Sequence, residues 1–201
     1  AAYFAPSPAG EGAKYAAFLR LKDKLLKEGL LDQARKKPLP PFIKDIVLIT
    51  SPSSAAARDF IKISKARWQG IRITIVPATM QGATAPASVT EALDAASRLR
   101  EADVVVIARG GGSSEDLWCF NDEGLARAIA AMERPVVTGI GHEVDFTIAD
   151  FVADVRASTP SNAAELLVPD ASAIAGAIGS VAGRLTGRLT EIAAAKRALL
   201  E

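Results

Sequence analysis

Apolar positions change their period twice along this chain. Tyr15, Phe18, Leu21, Leu25 and Leu26 recur at steps of three and four and Gly29 supplies a stop, so the spacing predicts an amphipathic helix from about residue 13 to 28. Lys36-Lys37-Pro38-Leu39-Pro40-Pro41 breaks the periodicity and predicts a stiff, extended linker. Short β-branched runs then alternate with helical stretches. Strands are expected at Ile46–Thr50, Ile71–Val76, Val104–Ile107 and Val136–Thr138, and helices at Ser53–Ala66, Ser88–Arg100, Glu123–Met132 and Phe146–Ala153. Continuous apolar runs suit strands buried on both faces. The expected fold class is therefore α/β, a doubly wound, mostly parallel sheet with flanking helices.

From Ile174 the helical period returns, and Ile178, Val181, Leu185, Leu189, Ile192 and Leu199 mark a narrow stripe, which predicts a C-terminal, coiled-coil-like helical arm. Gly176, Gly179, Gly183 and Gly187 each weaken that helix by about 1 kcal/mol relative to Ala, so it is expected to depend on packing against a neighbour. The division that follows is an α/β domain with its N-terminal helix and linker over 1–168, and the start of the arm over 169–201.

Composition narrows the classes. A chain of 201 residues that is 49% hydrophobic can bury one ordinary core. Lys plus Arg number 24 against 23 Asp plus Glu, so a nucleic-acid partner would have to be held by local basic surface rather than by net charge. The single cysteine, Cys119, excludes an internal disulfide and, with His142 as the single histidine, excludes a Cys/His zinc site; a reducing cytoplasm is the expected compartment. Between Trp118 and Phe120, Cys119 reads as a small core residue rather than a nucleophile. No run of about 18 apolar residues and no basic-then-apolar leader is legible, so neither a membrane span nor a secretory signal is expected. The chain opens Ala1-Ala2-Tyr3 without Met and is expected to be a piece of something longer.

Parallel α/β sheets bind ligands outside the carboxyl ends of their strands. The loops there are Ser51-Pro52-Ser53-Ser54, Pro77 to Pro86, Arg109 to Asp116 and Ile140 to Asp145, and they hold nearly every residue suited to chemistry. Arg109 followed by Gly110, Gly111 and Gly112 offers a forked cation and bare backbone N–H donors, a combination that holds a phosphate. The alternative is a tight structural turn beside a surface arginine. The pattern is not GxGxxG and no Gly-Lys-Ser/Thr follows, which argues against dinucleotide and P-loop nucleotide sites. Ser113 continues the phosphate-binding loop, whereas Glu115 and Asp116 are expected to cap the next segment.

His142 is the side chain that exchanges protons near neutral pH, and Asp145 three residues later can fix its orientation for general acid–base work. A capping or buried polar role is the other account of His142. Glu143 and Asp145 could alternatively hold a hard cation. Ser51 and Ser53 stand at a strand-to-helix passage able to bind phosphate, with plain N-capping an equal account. Asp59 lies about one and a half turns into that helix, where a solvated carboxylate is unremarkable.

Taken in order, several motifs resemble the large-subunit family of exodeoxyribonuclease VII. They are Ile49-Thr50-Ser51-Pro52, Ala57-Arg58-Asp59, Arg109-Gly110-Gly111-Gly112-Ser113, Glu115-Asp116-Leu117-Trp118, Phe120-Asn121, Gly139-Ile140-Gly141-His142-Glu143, Asp145-Phe146-Thr147-Ile148-Ala149-Asp150 and Arg156 to Ala164. The likeness runs from about Lys14 to Leu167 and continues, less specifically, into the terminal helix. It implies degradation of single-stranded DNA from both ends to leave 5′-phosphates, and assembly with several copies of a small helical subunit through the arm. It also implies that Asp59, Arg109, His142 and Asp145 are the important residues, Asp59 entering through the resemblance alone. The family carries an N-terminal OB-fold and a longer arm, neither of which is complete here. No obligatory metal is expected, although Mg²⁺ is admitted, and no membrane partner is expected. Two other readings stand beside this one: a non-catalytic single-stranded-DNA-binding domain, and a metal-dependent phosphoesterase of another substrate class with Glu143, Asp145 and Asp59 as ligands.

Overall fold

The β-branched runs assemble into a five-stranded, wholly parallel sheet in the computed structural model, which describes residues 10–111, 114–141 and 145–198. The chain runs α1 (Gly10–Lys27), β1 (Asp45–Thr50), α2 (Ala55–Arg67), β2 (Arg72–Pro77), α3 (Ala85–Ser97), β3 (Val104–Ala108), α4 (Ser114–Leu117), α5 (Glu123–Ala131), β4 (Val136–Gly139), α6 (Ile148–Val152), β5 (Val155–Arg156), α7 (Pro160–Leu167) and α8 (Ala171–Ala198). Single 3-10 turns lie at Gln33–Arg35 and Trp118–Phe120. The strand order β2-β1-β3-β4-β5 makes the chain cross over β1 on its way from β2 to β3. The loops leaving β1 and β3 therefore diverge to opposite sides and open a crevice between them, the usual ligand position in such sheets.

Alternate residues of the inner strands face opposite layers, and both layers are dry. Val47, Ile49, Val105, Ile107 and Val136 pack under α3, α5 and α6 together with Leu25 of α1. Ile46, Leu48, Val104, Val106 and Val137 pack against Phe60 of α2 and Ala163, Ala164 and Leu167 of α7. The buried face of α2 also carries Ser64, whose hydroxyl has no hydrogen-bond partner among the described residues. Desolvating an unmatched hydroxyl opposes folding, and Ala is the better helix former. Ser64→Ala is expected to raise unfolding stability by about 1 kcal/mol, read as a higher denaturant midpoint at unchanged slope. A lower midpoint would mean that the hydroxyl is satisfied after all.

Local chemistry moves several element boundaries from their expected places. Helix α3 begins at Ala85 rather than Ser88, because Pro86 takes a first-turn position where no N–H is needed. Helix α6 begins at Ile148, fixed by a reciprocal capping box in which Thr147 accepts from the Asp150 amide and Asp150 accepts from the Thr147 amide, so Phe146 stands outside the helix. Strand β5 and helices α4 and α7 have no counterpart in the sequence reading. Two residues of β5 are too short to show a period, and α7 follows from Thr159 as N-cap with Pro160 in the first turn.

The expected stiff linker after α1 lies outside any helix or strand and is tied to the domain. Arg35 donates to the carbonyls of Leu30, Ala130 and Val152. The Lys37 amide donates to Asp154 Oδ1 at 2.8 Å, while Asp154 Oδ2 accepts the Val136 amide at 2.7 Å. One buried carboxylate thus joins the segment before β1 to the start of β4.

Helix α8 leaves the domain with Ile178, Val181, Leu185, Leu189 and Ile192 exposed and open space at Gly176, Gly179, Gly183 and Gly187. Leu199, also placed on the stripe, lies outside the described residues. Contrary to the expectation from apolar runs, an 18-residue window within Pro160–Arg197 reaches a mean hydropathy of 1.5, apolar enough by length and composition to cross a membrane. Alanine raises that average without forming an uninterrupted run of large side chains.

Candidate active site

Three strand ends meet at the crevice. The loop after β3 lies against the first turn of α2: a Cβ built on Gly110 would sit 3.6 Å from both the amide nitrogen and the Cβ of Ala56. Among the described glycines only Gly29 and Gly82 have positive φ, so Gly110 is not required by a left-handed backbone. What its missing side chain does is leave the head of α2 uncovered. There Ser54 caps by accepting the Ala57 amide at 3.1 Å, and the Ala55 and Ala56 amides precede the first intrahelical bond. Ser51 is half-buried and Ser53 exposed; the Ser51 carbonyl accepts the Ser54 amide at 3.0 Å and the Ser53 carbonyl accepts Arg58 Nη1 at 2.7 Å. Gly111 is exposed beside Gly110.

Arg109 is the buried cation of this crevice, 6% exposed, with its own amide donating to the Gly139 carbonyl of β4 at 3.0 Å. Its guanidinium Nη2 lies 3.2 Å from a carboxylate oxygen of Asp116. Asp116 lies inside the short helix α4 rather than at its cap, the place expected from sequence, because its carboxylate turns to neutralise and hold the guanidinium. A carboxylate that is 39% exposed on a nearly buried cation leaves an arrangement in which an incoming phosphate can share the fork.

The loop after β4 is held from three sides. A Cβ on Gly139 would lie 3.1 Å from the Thr159 carbonyl oxygen and 3.3 Å from Pro160, so glycine lets the head of α7 sit a few tenths of an ångström closer to this strand end than a side chain would. A Cβ on Gly141 would lie 3.3 Å from Asp145 Cβ and 3.5 Å from Leu117 Cδ1, which sets Gly141 beside both Asp145 and α4. The Asp145 carbonyl accepts Arg156 Nη2 at 3.1 Å, and Asn121 Oδ1 accepts the Ile148 amide at 2.8 Å. The Asp145 carboxylate has no hydrogen bond or ion pair among the described residues. Asp116, Asn121, Gly139 and Arg156 thus position the site, and residue spacing alone gave no signal for those roles.

Of the residues expected to act, Arg109, Gly110, Gly111, Ser51, Ser53 and Asp145 stand at the carboxyl ends of the strands. Asp59 is exposed on α2, one turn beyond its start, without a hydrogen bond or ion pair among the described residues. His142, Glu143, Gly112 and Ser113 lie outside the described residues. Among the described residues no three His, Cys, Asp or Glu side chains gather as metal ligands would. Cys119 is half-buried and donates to the Asp116 carbonyl at 3.2 Å. Burial pushes its thiol up, with the Arg109 cation acting in the opposite sense, so the thiolate that a nucleophile needs is disfavoured.

The crevice has the parts of a phosphate-handling site: a buried forked cation, bare glycine backbone, a helix head and the Asp145 carboxylate beside Gly141. The family model described as "Exonuclease VII, large subunit" matches residues 30–201. The exodeoxyribonuclease 7 large subunit of Stenotrophomonas maltophilia is 52% identical over 162 residues, covering 81% of this chain and 37% of that relative. That of Caldanaerobacter subterraneus subsp. tengcongensis is 52% identical over 161 residues, covering 80% and 40%. The Azotobacter vinelandii protein is 47% identical over 190 residues, covering 94% and 41%. The chain thus spans about two fifths of the length of these curated relatives.

Proposed function

From membership of the exonuclease VII large-subunit family, to which this chain belongs, we propose that it hydrolyses phosphodiester bonds of single-stranded DNA from both ends and leaves 5′-phosphates. The observation that carries this reading is Arg109, a buried guanidinium on a glycine loop laid against the head of α2 at the crevice between β1 and β3. In this mechanism the Arg109 fork and the backbone N–H groups of Gly110, Gly111 and Gly112 stabilise charge on the phosphoryl oxygens, with Ser51, Ser53 and Ser113 holding the adjoining backbone. His142 protonates the leaving oxygen or activates the attacking water, and Asp145 orients it. Asp59 acts as a second base or as a positioning residue. Mg²⁺ is not required on this reading, because the protein's own cation and amides take the transition-state charge.

The exposed apolar stripe of α8 is the docking surface for several copies of the small subunit, and the protein works in the cytoplasm on this account. Truncation before Ala171 is expected to abolish small-subunit binding while leaving the α/β core folded. Loss of the whole fold, or undiminished binding, would contradict the arm's role.

The activity is tested with end-labelled single-stranded DNA and the complete large subunit, assembled with its small subunit, in excess chelator. The expected result is shortening from both ends with 5′-phosphorylated products and little action on duplex. Cleavage that appears only after Mg²⁺ is added would favour a metal-dependent phosphoesterase, and tight binding without cleavage under either condition would leave a binding domain.

A further inference from the structure

Four aromatic rings run in contact from the candidate active loop to the N-terminal helix. Phe146, the residue after Asp145, lies 5.7 Å from Phe151 of α6, with the rings inclined by 28°. Phe151 lies 6.4 Å from Phe18 of α1, and Phe18 stacks on Tyr15 at 6.3 Å. Cations punctuate the run: the Arg156 guanidinium sits 3.8 Å over the Phe146 ring, and Lys22 Nζ sits 4.0 Å over Phe151. The middle rings are half-buried and dock α1 onto the domain, packing that accounts for Phe18 and Phe151. It does not account for the ends. Phe146 is 49% exposed and Tyr15 43% exposed, so each presents aromatic surface to water.

Resting on the single-stranded-DNA reading above, we propose that this cation-flanked aromatic run is a track along which the DNA strand leaves the active site toward α1, with bases stacking at Phe146 and Tyr15. The chemistry favours a single strand. Unpaired bases offer apolar faces that an aromatic platform covers without regard to sequence, and cations beside the rings meet the phosphates between them. Spacings of 5.7 to 6.4 Å are those of packed aromatic pairs, so the four rings form one continuous run whose exposed ends lie beside Asp145 and on α1. The Lys22 ammonium has no carboxylate partner among the described residues, which leaves its charge for a phosphate. Arg156 ties the platform to the loop, since the guanidinium that covers Phe146 also donates to the Asp145 carbonyl at 3.1 Å. A base seated at Phe146 would thereby fix the register of the phosphate nearest Asp145.

The test measures equilibrium binding of a non-cleavable phosphorothioate oligodeoxythymidylate, carrying a fluorescent purine analogue, to the complete large subunit assembled with its small subunit. Phe146→Ala and Phe146→Leu are both expected to weaken binding about 5- to 150-fold, the weight of one base–aromatic stack, while Phe146→Trp retains it. Leu keeps apolar bulk and lacks a flat face, which separates stacking from packing. Tyr15→Ala should weaken binding of strands long enough to reach α1, and Lys22→Gln should lower the salt dependence of binding by about one phosphate contact. If wild type binds and cuts single strands and Phe146→Leu and Tyr15→Ala bind as tightly as wild type, the track is wrong and the nuclease reading survives. If wild type neither binds nor cuts them, both fall.

Discussion

His142→Ala is expected to bind single-stranded DNA nearly as tightly as the wild type and to cut it about 10² to 10⁴ times more slowly, the usual loss when a positioned general acid or base is removed. Binding should persist because phosphate contacts dominate affinity for nucleic acid, and those assigned here belong to Arg109, the glycine backbone and the head of α2. Gly141 and Asp145 bracket the histidine in sequence. Their close approach, with 3.3 Å between a Cβ built on Gly141 and Asp145 Cβ, holds the two ends of its loop together. The check is paired measurement of DNA affinity and single-turnover rate on the same preparation. Robust cleavage by the variant would remove His142 from the mechanism.

Arg109→Lys should be nearly as damaging to turnover as Arg109→Ala, each by about 10² to 10³, although lysine keeps the charge. The geometry makes this substitution informative. A lysine ammonium can still pair with Asp116, so the buried position remains neutralised and the fold should hold. What it loses is the fixed fork that can engage Asp116 and a phosphoryl oxygen together. Thermal unfolding close to that of the wild type, combined with the rate loss, is the expected outcome. Near wild-type turnover in the lysine variant would reduce Arg109 to a source of positive potential.

The sheet was legible because its strands are apolar at successive positions: Val104 to Ala108 are all buried, so the run itself reports two covered faces. Parallel pairing and the strand-end position of the site follow from that alternation of strand and helix. The links that hold the site were not legible, since they depend on partners distant in sequence. Asp154 reaches back to Lys37, and Arg156 closes on Asp145, through contacts that no local period encodes. Asp116 looked like a helix cap because Asp favours such positions, and only tertiary structure brings it to Arg109. Gly139 has the sequence setting of any strand-end glycine, and only the fold brings the Thr159 carbonyl to 3.1 Å from where its Cβ would be. Residue type and strand-end position make Arg109, Asp145 and the serines candidates. Asp59 is a candidate through family resemblance alone, and its exposed place on α2 adds no contact among the described residues that singles it out.

The central claim is that Arg109 and His142 act together on one phosphate at the crevice between β1 and β3. A double-mutant cycle on single-turnover cleavage of single-stranded DNA tests it most directly, using wild type, Arg109→Lys, His142→Ala and the double variant. Groups that act as a unit give strongly non-additive losses. The account predicts a double variant hardly slower than the slower single variant; losses that multiply, as for two independent sites, would contradict it.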